Sequence, residues 1–145
     1  MPQLRGYFDT SVLVKRYVNE DGSFQARLVA RKYHCVTSDI TPIEVTSALV
    51  RRLALGHLSG NAFAAACGRL TADRRKWVSI AIGDSLVERA QEVIRNFHVK
   101  TLDAIHIASA SEFQAKSATR LPFPTADEKQ MNAAASCGLR IGRVI

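Results

Sequence analysis

Short β-like runs alternate with helical segments along the whole chain, and this alternation restricts the fold more than any other feature. Residues 4–8, 35–38, 77–82, 121–125 and 139–145 read as strands. Helical patterns lie between them, at 10–14, 23–33, 41–55, 59–72, 86–97, 101–115 and 127–136. Strands alternating with helices predict a parallel sheet with helices on both faces. The 145 residues suit one domain, taken as 1–145, and 47% hydrophobic residues can fill a core without staples. Residues 41–55 and 59–72 read together as a helical hairpin between strands.

Helix faces follow from the 3.6-residue period. The expected inward positions are Phe24, Leu28 and Val29; then Ile43, Val50 and Leu53; then Phe63, Ala64, Cys67 and Leu70; and Leu102, Ile105, Ala108 or Ser109, and Phe113. Thr41 and Glu44 form a capping-box pattern around Pro42. Asp84, Ser85 and Glu88 do the same after the third strand and are assigned to structure. Pro122 and Pro124 predict a short or irregular fourth strand.

Composition removes several classes of function. No apolar run reaches the roughly 18 residues of a membrane span, and residues 1–6 lack a signal-peptide core, so a cytoplasmic protein is expected. Cys35, Cys67 and Cys137 are odd in number and show no CxxC pair, which predicts buried thiols rather than disulfides or zinc ligands. P-loop and GxGxxG patterns are absent. A net charge of +7 favours polyanionic or acidic partners.

Against that basic background, Asp9, Glu44, Asp103 and Asp127 each stand where a helix begins. Asp9 and Asp127 also follow strands, and ligands in open parallel sheets bind beyond the carboxyl ends of strands. Each acid also has a local explanation as a cap or a first-turn charge. Should the four meet, they form an all-carboxylate site suited to hard divalent cations.

The local sequences carry a resemblance. Tyr7-Phe8-Asp9-Thr10-Ser11-Val12-Leu13 resembles the first motif of the PIN-domain ribonucleases, and Ile43-Glu44-Val45 the second. Residues 101–110, TLDAIHIASA, closely resemble the third, and Pro124-Thr125-Ala126-Asp127-Glu128 the fourth. Residues 17–23 are similar to the segment after motif one in VapC-type toxins, and residues 133–145 to the usual tail. The resemblance implies a PIN-like three-layer fold with a protruding helical hairpin. It implies a Mg²⁺- or Mn²⁺-dependent endoribonuclease, the toxin of a toxin–antitoxin pair, which forms a homodimer and is restrained by a small antitoxin.

In that scheme Asp9 and Asp103 are the main metal ligands. Glu44 ligates through water or positions the attacking water, and Asp127 completes the acidic ring or supports a second ion. Thr10, Ser11 and Thr125 position water or phosphate, and products carry 5′-phosphate and 3′-hydroxyl ends. Lys15, Arg16, Arg51 and Arg52 are candidate RNA or antitoxin contacts. Arg74, Arg75 and Lys76 precede strand three, at the opposite end, and are expected to be solvated. His106 shares the helix face of Asp103 and is expected to be packed or partner-bonded rather than a base. A non-catalytic RNA-binding or assembly module of the same fold is the alternative. A phospho-acceptor domain is disfavoured, because Asp9 lacks a second Asp two positions on.

Overall fold

The computed structural model describes residues 4–118, 121–125 and 128–143. The chain runs β1 (Arg5–Tyr7), α1 (Thr10–Tyr17), α2 (Ser23–Lys32), β2 (His34–Ser38), α3 (Thr41–Ala54), α4 (Gly60–Arg74), β3 (Val78–Ile80), α5 (Asp84–Phe97), α6 (Thr101–Ser117), β4 (Pro122–Thr125), α7 (Glu128–Ser136) and β5 (Arg140–Arg143). β1, β2 and β3 form a parallel sheet in the order β1-β2-β3, and β4 and β5 form a second parallel pair.

β4 lies beside β1, and the Tyr7 and Phe123 rings stack with centroids 5.3 Å apart. Alternate residues of a strand present their N–H groups to the same edge, so Pro122 and Pro124 strip two donors from one edge of β4. The other edge keeps the ladder to β5. This accounts for two hydrogen-bonded sheets where the neighbours form one layer.

The strand period sorts the core into two halves. Tyr7 and Val36 face a cluster with Leu86, Val93, Ile107, Leu121 and Phe123, supplied by α5, α6, β4 and α7. Phe8 and Cys35, each one residue away, face a cluster with Val12, Leu13, Val45, Leu49 and Leu70, supplied by α1, α3 and α4. The result is the expected three-layer arrangement: helices, parallel strands, helices.

Several helix faces differ from the sequence reading. In α3, Ile43 is 70% exposed and Val50 is also exposed, while Val45, Ala48 and Leu49 are buried. In α2, Phe24 and Leu28 are exposed; Ala26 is buried and Val29 packs on the core. Both helices carry apolar residues on two faces, so periodicity alone admits the wrong one. Ala64 is exposed, whereas Phe63, Cys67 and Leu70 pack as expected around buried Ala66. α6 is buried nearly all round, through Ala104, His106 to Ala110 and Glu112, because it is packed by β2, α5 and α7; Leu102 is exposed.

Two expected capping boxes are replaced. The N-cap of α3 is Ile40, and the buried Thr41 hydroxyl shares a 2.7 Å hydrogen bond with Thr37 instead of capping. Ser85 donates to Glu112 of α6 at 3.2 Å, tying α5 to its neighbour. By contrast Ser59 caps α4, accepting from Ala62 N, and Gly56 follows α3 in the left-handed region at φ +77°. Cys35 is buried, Cys67 and Cys137 are half-buried, and all three are free thiols. No helix among the described residues is long and apolar enough to cross a membrane.

Candidate active site

The chain leaves β1 for β2 and β3 on one side, then returns to β4 on the other. The carboxyl end of β1 therefore lies where strand order reverses. A cavity of about 1040 Å³ opens there, lined by Asp9, Glu44, Asp103 and His106 together with Thr10, Ser11, Lys15, Glu20, Ile43, Arg51, Arg52, Lys100 and Leu102. Three of the four acids, from α1, α3 and α6, thus share one space. Asp127 and the side chain of Thr125 lie outside the described residues.

Asp9 is 4% exposed. It caps α1, accepting from Val12 N at 3.3 Å, and takes the Ser11 hydroxyl across both oxygens at 3.1 and 3.0 Å. Burial pushes its carboxyl above the ordinary range; His106, Ser11 and the Val12 N–H oppose this, and the charge of Asp103 adds to it. The local role as a helix cap and the membership of an acidic cluster are therefore held by one residue. Asp103, half-buried in the first turn of α6, accepts from Gln130 Nε2 at 3.3 Å.

Glu44 is fastened from two sides. Thr10 donates its hydroxyl to Glu44 Oε1 at 2.7 Å, and His106 Nε2 stands 2.8 Å from the same oxygen. Burial raises the Glu44 pKa, but the bond and charge of His106 and the Thr10 hydroxyl outweigh it and hold the carboxyl below its usual value. His106 is 2% exposed, and its Nδ1 lies 2.8 Å from the Tyr7 hydroxyl. It is partner-bonded, as the sequence reading expects.

The cationic wall is partly pre-paired. Glu20, in the loop between α1 and α2, meets Arg52 at 2.8 Å and Lys15 at 3.4 Å. Burial raises its pKa, yet the two cations win and lower it. Arg16 turns away from the cavity to Asp73, at 3.5 Å, in a separate cleft with Arg27, Arg31 and Arg69. Its expected grouping with Lys15 is thereby corrected, since adjacent residues on a helix point about 100° apart. Arg74, Arg75 and Lys76 are exposed, as expected. Sequence reading missed Lys100, which immediately precedes motif three, and gave Glu20 no role beyond its place in the segment 17–23.

The donor chemistry fits a hard cation: carboxylate oxygens, with Asp103 close enough to Asp9 to disfavour its ionisation. Among the described residues no three His, Cys, Asp or Glu side chains are grouped so as to hold a metal ion by themselves.

The structure is thus a parallel α/β sandwich with three acids gathered beyond its first strand. The PIN domain family model matches residues 6–134, and the chain belongs to that family. Similar solved structures include a toxin–antitoxin complex from Klebsiella pneumoniae, at 19% identity and TM-score 0.65, covering 87% of this chain and 89% of that one. FitAcB from Neisseria gonorrhoeae matches at 14% identity and TM-score 0.68, covering 93% and 94%. VapBC2 from Rickettsia felis, bound to a promoter DNA fragment, matches at 11% identity and TM-score 0.61, covering 98% and 100%. At these identities the likeness is one of fold. No curated protein matches the sequence.

Proposed function

We propose that this chain is a Mg²⁺- or Mn²⁺-dependent endoribonuclease, the toxin half of a toxin–antitoxin pair. The observation that carries the reading is the acid pair Asp9 and Asp103 in one cavity whose wall also bears Lys15, Arg51, Arg52 and Lys100. Acids alone would repel a phosphodiester; acids beside cations suit a metal-assisted cut in a bound polyanion. When bound, the metal offsets both the acids and the diester and makes water a stronger nucleophile.

The residues divide the remaining work. Asp9 and Asp103 supply the principal ligand oxygens, and Ser11 steadies Asp9. Glu44, fixed by Thr10 and His106, ligates through water or orients the attacking water. Asp127 is the proposed fourth acid, and Thr125 the proposed hydroxyl beside it. Arg51, Arg52, Lys15 and Lys100 hold phosphates on either side of the scissile bond. Attack by water leaves 5′-phosphate and 3′-hydroxyl ends.

The similar toxin–antitoxin complex from Klebsiella pneumoniae, and the exposed Phe24, Leu28, Ile43, Val50 and Leu55, support a protein partner, proposed as a small antitoxin. Family likeness extends the proposal to a homodimer. The test is RNA digestion with Mn²⁺ beside Asp9→Asn and Asp103→Asn. Cleavage is expected from the parent alone. RNA binding without cleavage at any metal concentration would favour the non-catalytic module instead.

A further inference from the structure

We infer that His106 is a positioning residue: braced from behind by Tyr7, it fixes which oxygen of Glu44 is presented to the acidic cavity. The inference rests on the nuclease reading above and deepens it. Four side chains from three elements and the strand β1 form one unbroken chain of contacts. The Tyr7 hydroxyl lies 2.8 Å from His106 Nδ1, His106 Nε2 lies 2.8 Å from Glu44 Oε1, and Thr10 Oγ1 lies 2.7 Å from Glu44 Oε1 and 3.2 Å from His106 Nε2.

The direction of the hydrogen bonds follows from the inventory of donors. A carboxylate oxygen only accepts, so Nε2 carries the hydrogen in this contact. The other ring nitrogen, Nδ1, is engaged by the Tyr7 hydroxyl at 2.8 Å. Tyr7 is fully buried at 0% exposure, and burial favours its neutral, donating form. Oε1 of Glu44 thus receives two hydrogen bonds, whereas Oε2 has no hydrogen-bond partner among the described residues. One oxygen is anchored and the other is left for the cavity.

A base role for His106 fits poorly. Its ring is 2% exposed and both nitrogens are engaged, so water has no open nitrogen to reach. The arrangement is instead that of a supporting residue orienting a carboxylate of the metal site, and removal of such support typically weakens metal binding by about 10–100-fold.

The experiment measures Mn²⁺ affinity of the full chain by calorimetry, alongside RNA cleavage and thermal melts. The variants are His106→Leu, His106→Gln, Glu44→Gln and the double substitution His106→Leu with Glu44→Gln. Expected are a loss of roughly tenfold or more for His106→Leu, partial recovery in His106→Gln, whose amide can donate from a similar place, and no further loss in the double variant beyond Glu44→Gln. Equal losses from His106→Leu with and without Glu44 would overturn the positioning role while leaving the nuclease reading in place. A parent protein that binds no Mn²⁺ would overturn the nuclease reading and this role with it. Nitrogen-15 spectra of the metal-free parent supply a further readout: a hydrogen on Nε2 is expected, and a bare Nε2 would refute the assigned direction.

Discussion

Ser11 donates its hydroxyl across both oxygens of Asp9, at 3.1 and 3.0 Å, in a carboxyl that burial already pushes towards its neutral form. The sign of the consequence follows. A carboxyl whose folded pKa is raised binds a proton more readily folded than unfolded, so stability falls as pH rises through the interval between the ordinary and the raised value. At neutral pH, in EDTA, the Asp9 carboxyl therefore costs stability. Asp9→Asn keeps a good helix cap and removes the charge. The variant is expected to melt higher than the parent at neutral pH in EDTA, with the gap closing as pH falls into the ordinary carboxylate range. Mn²⁺ should reverse the order, stabilising the parent by about 2.7 kcal/mol at a hundred times its Kd and the variant hardly at all. Melts in EDTA and in Mn²⁺ check both halves.

Glu20 neutralises Lys15 and Arg52 on the cavity wall. Glu20→Gln is expected to raise RNA affinity and to steepen its salt dependence. Each cation newly engaged with a single strand adds about 0.7 to the log–log slope. Arg51→Ala should shift the slope the other way by about the same amount. Arg16→Ala should change it less, because Arg16 sits with Asp73 in another cleft. Binding titrations at several salt concentrations decide it; an unchanged slope in Glu20→Gln would mean that the two cations do not meet phosphate.

The rotation of α3 has a direct thermodynamic test. Leu49 is 0% exposed, and Leu49→Ala is expected to cost about 2–5 kcal/mol. Ile43 faces outward, and Ile43→Ala is expected to stay within about 0.5 kcal/mol. Urea unfolding of the two variants compares them. The opposite ranking would return α3 to the face that periodicity suggests.

Tyr17 of α1 donates to Asp73 of α4 at 2.7 Å, so a hydroxyl ties the hairpin to the first helix. Burial and the Asp73 carboxylate keep Tyr17 protonated. Tyr17→Phe leaves Asp73 with Arg16 alone among its described partners and should cost about 1.5–3 kcal/mol, the range for a hydrogen bond to a charged group. Thermal melts of the variant check the loss.

The sheet, its parallel sense and the meeting of Asp9, Glu44 and Asp103 were legible because each depends on local pattern. Strand and helix periods set the elements, and each acid stands near the start of a helix that the fold points to one end. Asp127 was read in the same way and lies outside the described residues. What local pattern could not reveal depends on distant partners. Tyr7 and His106 are 99 residues apart, and Glu44 and His106 62 apart, so no spacing rule links them. Thr41 and Ser85 looked like caps because a hydroxyl at a helix start usually is one; Thr37 and Glu112 offered closer partners. The faces of α2 and α3 were misjudged because an apolar residue on a solvent-facing side reads the same as one in the core.

The last prediction concerns the seam between α5 and α6. Glu112 Oε1 accepts from Lys116 Nζ at 2.7 Å and from Ser85 at 3.2 Å. The Lys116 hydrogen bond, set against some burial, holds the Glu112 carboxyl below its usual value, with Arg89 helping. A depressed folded pKa contributes stability that is present above the ordinary glutamate value and lost as pH falls through the folded one. Glu112→Gln is expected to flatten the acid limb of the stability curve in that interval and to leave RNA cleavage intact, since Glu112 does not line the cavity. Lys116→Ala should lose part of the same pH dependence, but less, because Ser85 and Arg89 remain. Melting temperatures taken from neutral pH down through the carboxylate range check the pair, and a Gln variant with the parent's full acid dependence would assign that limb to other carboxylates.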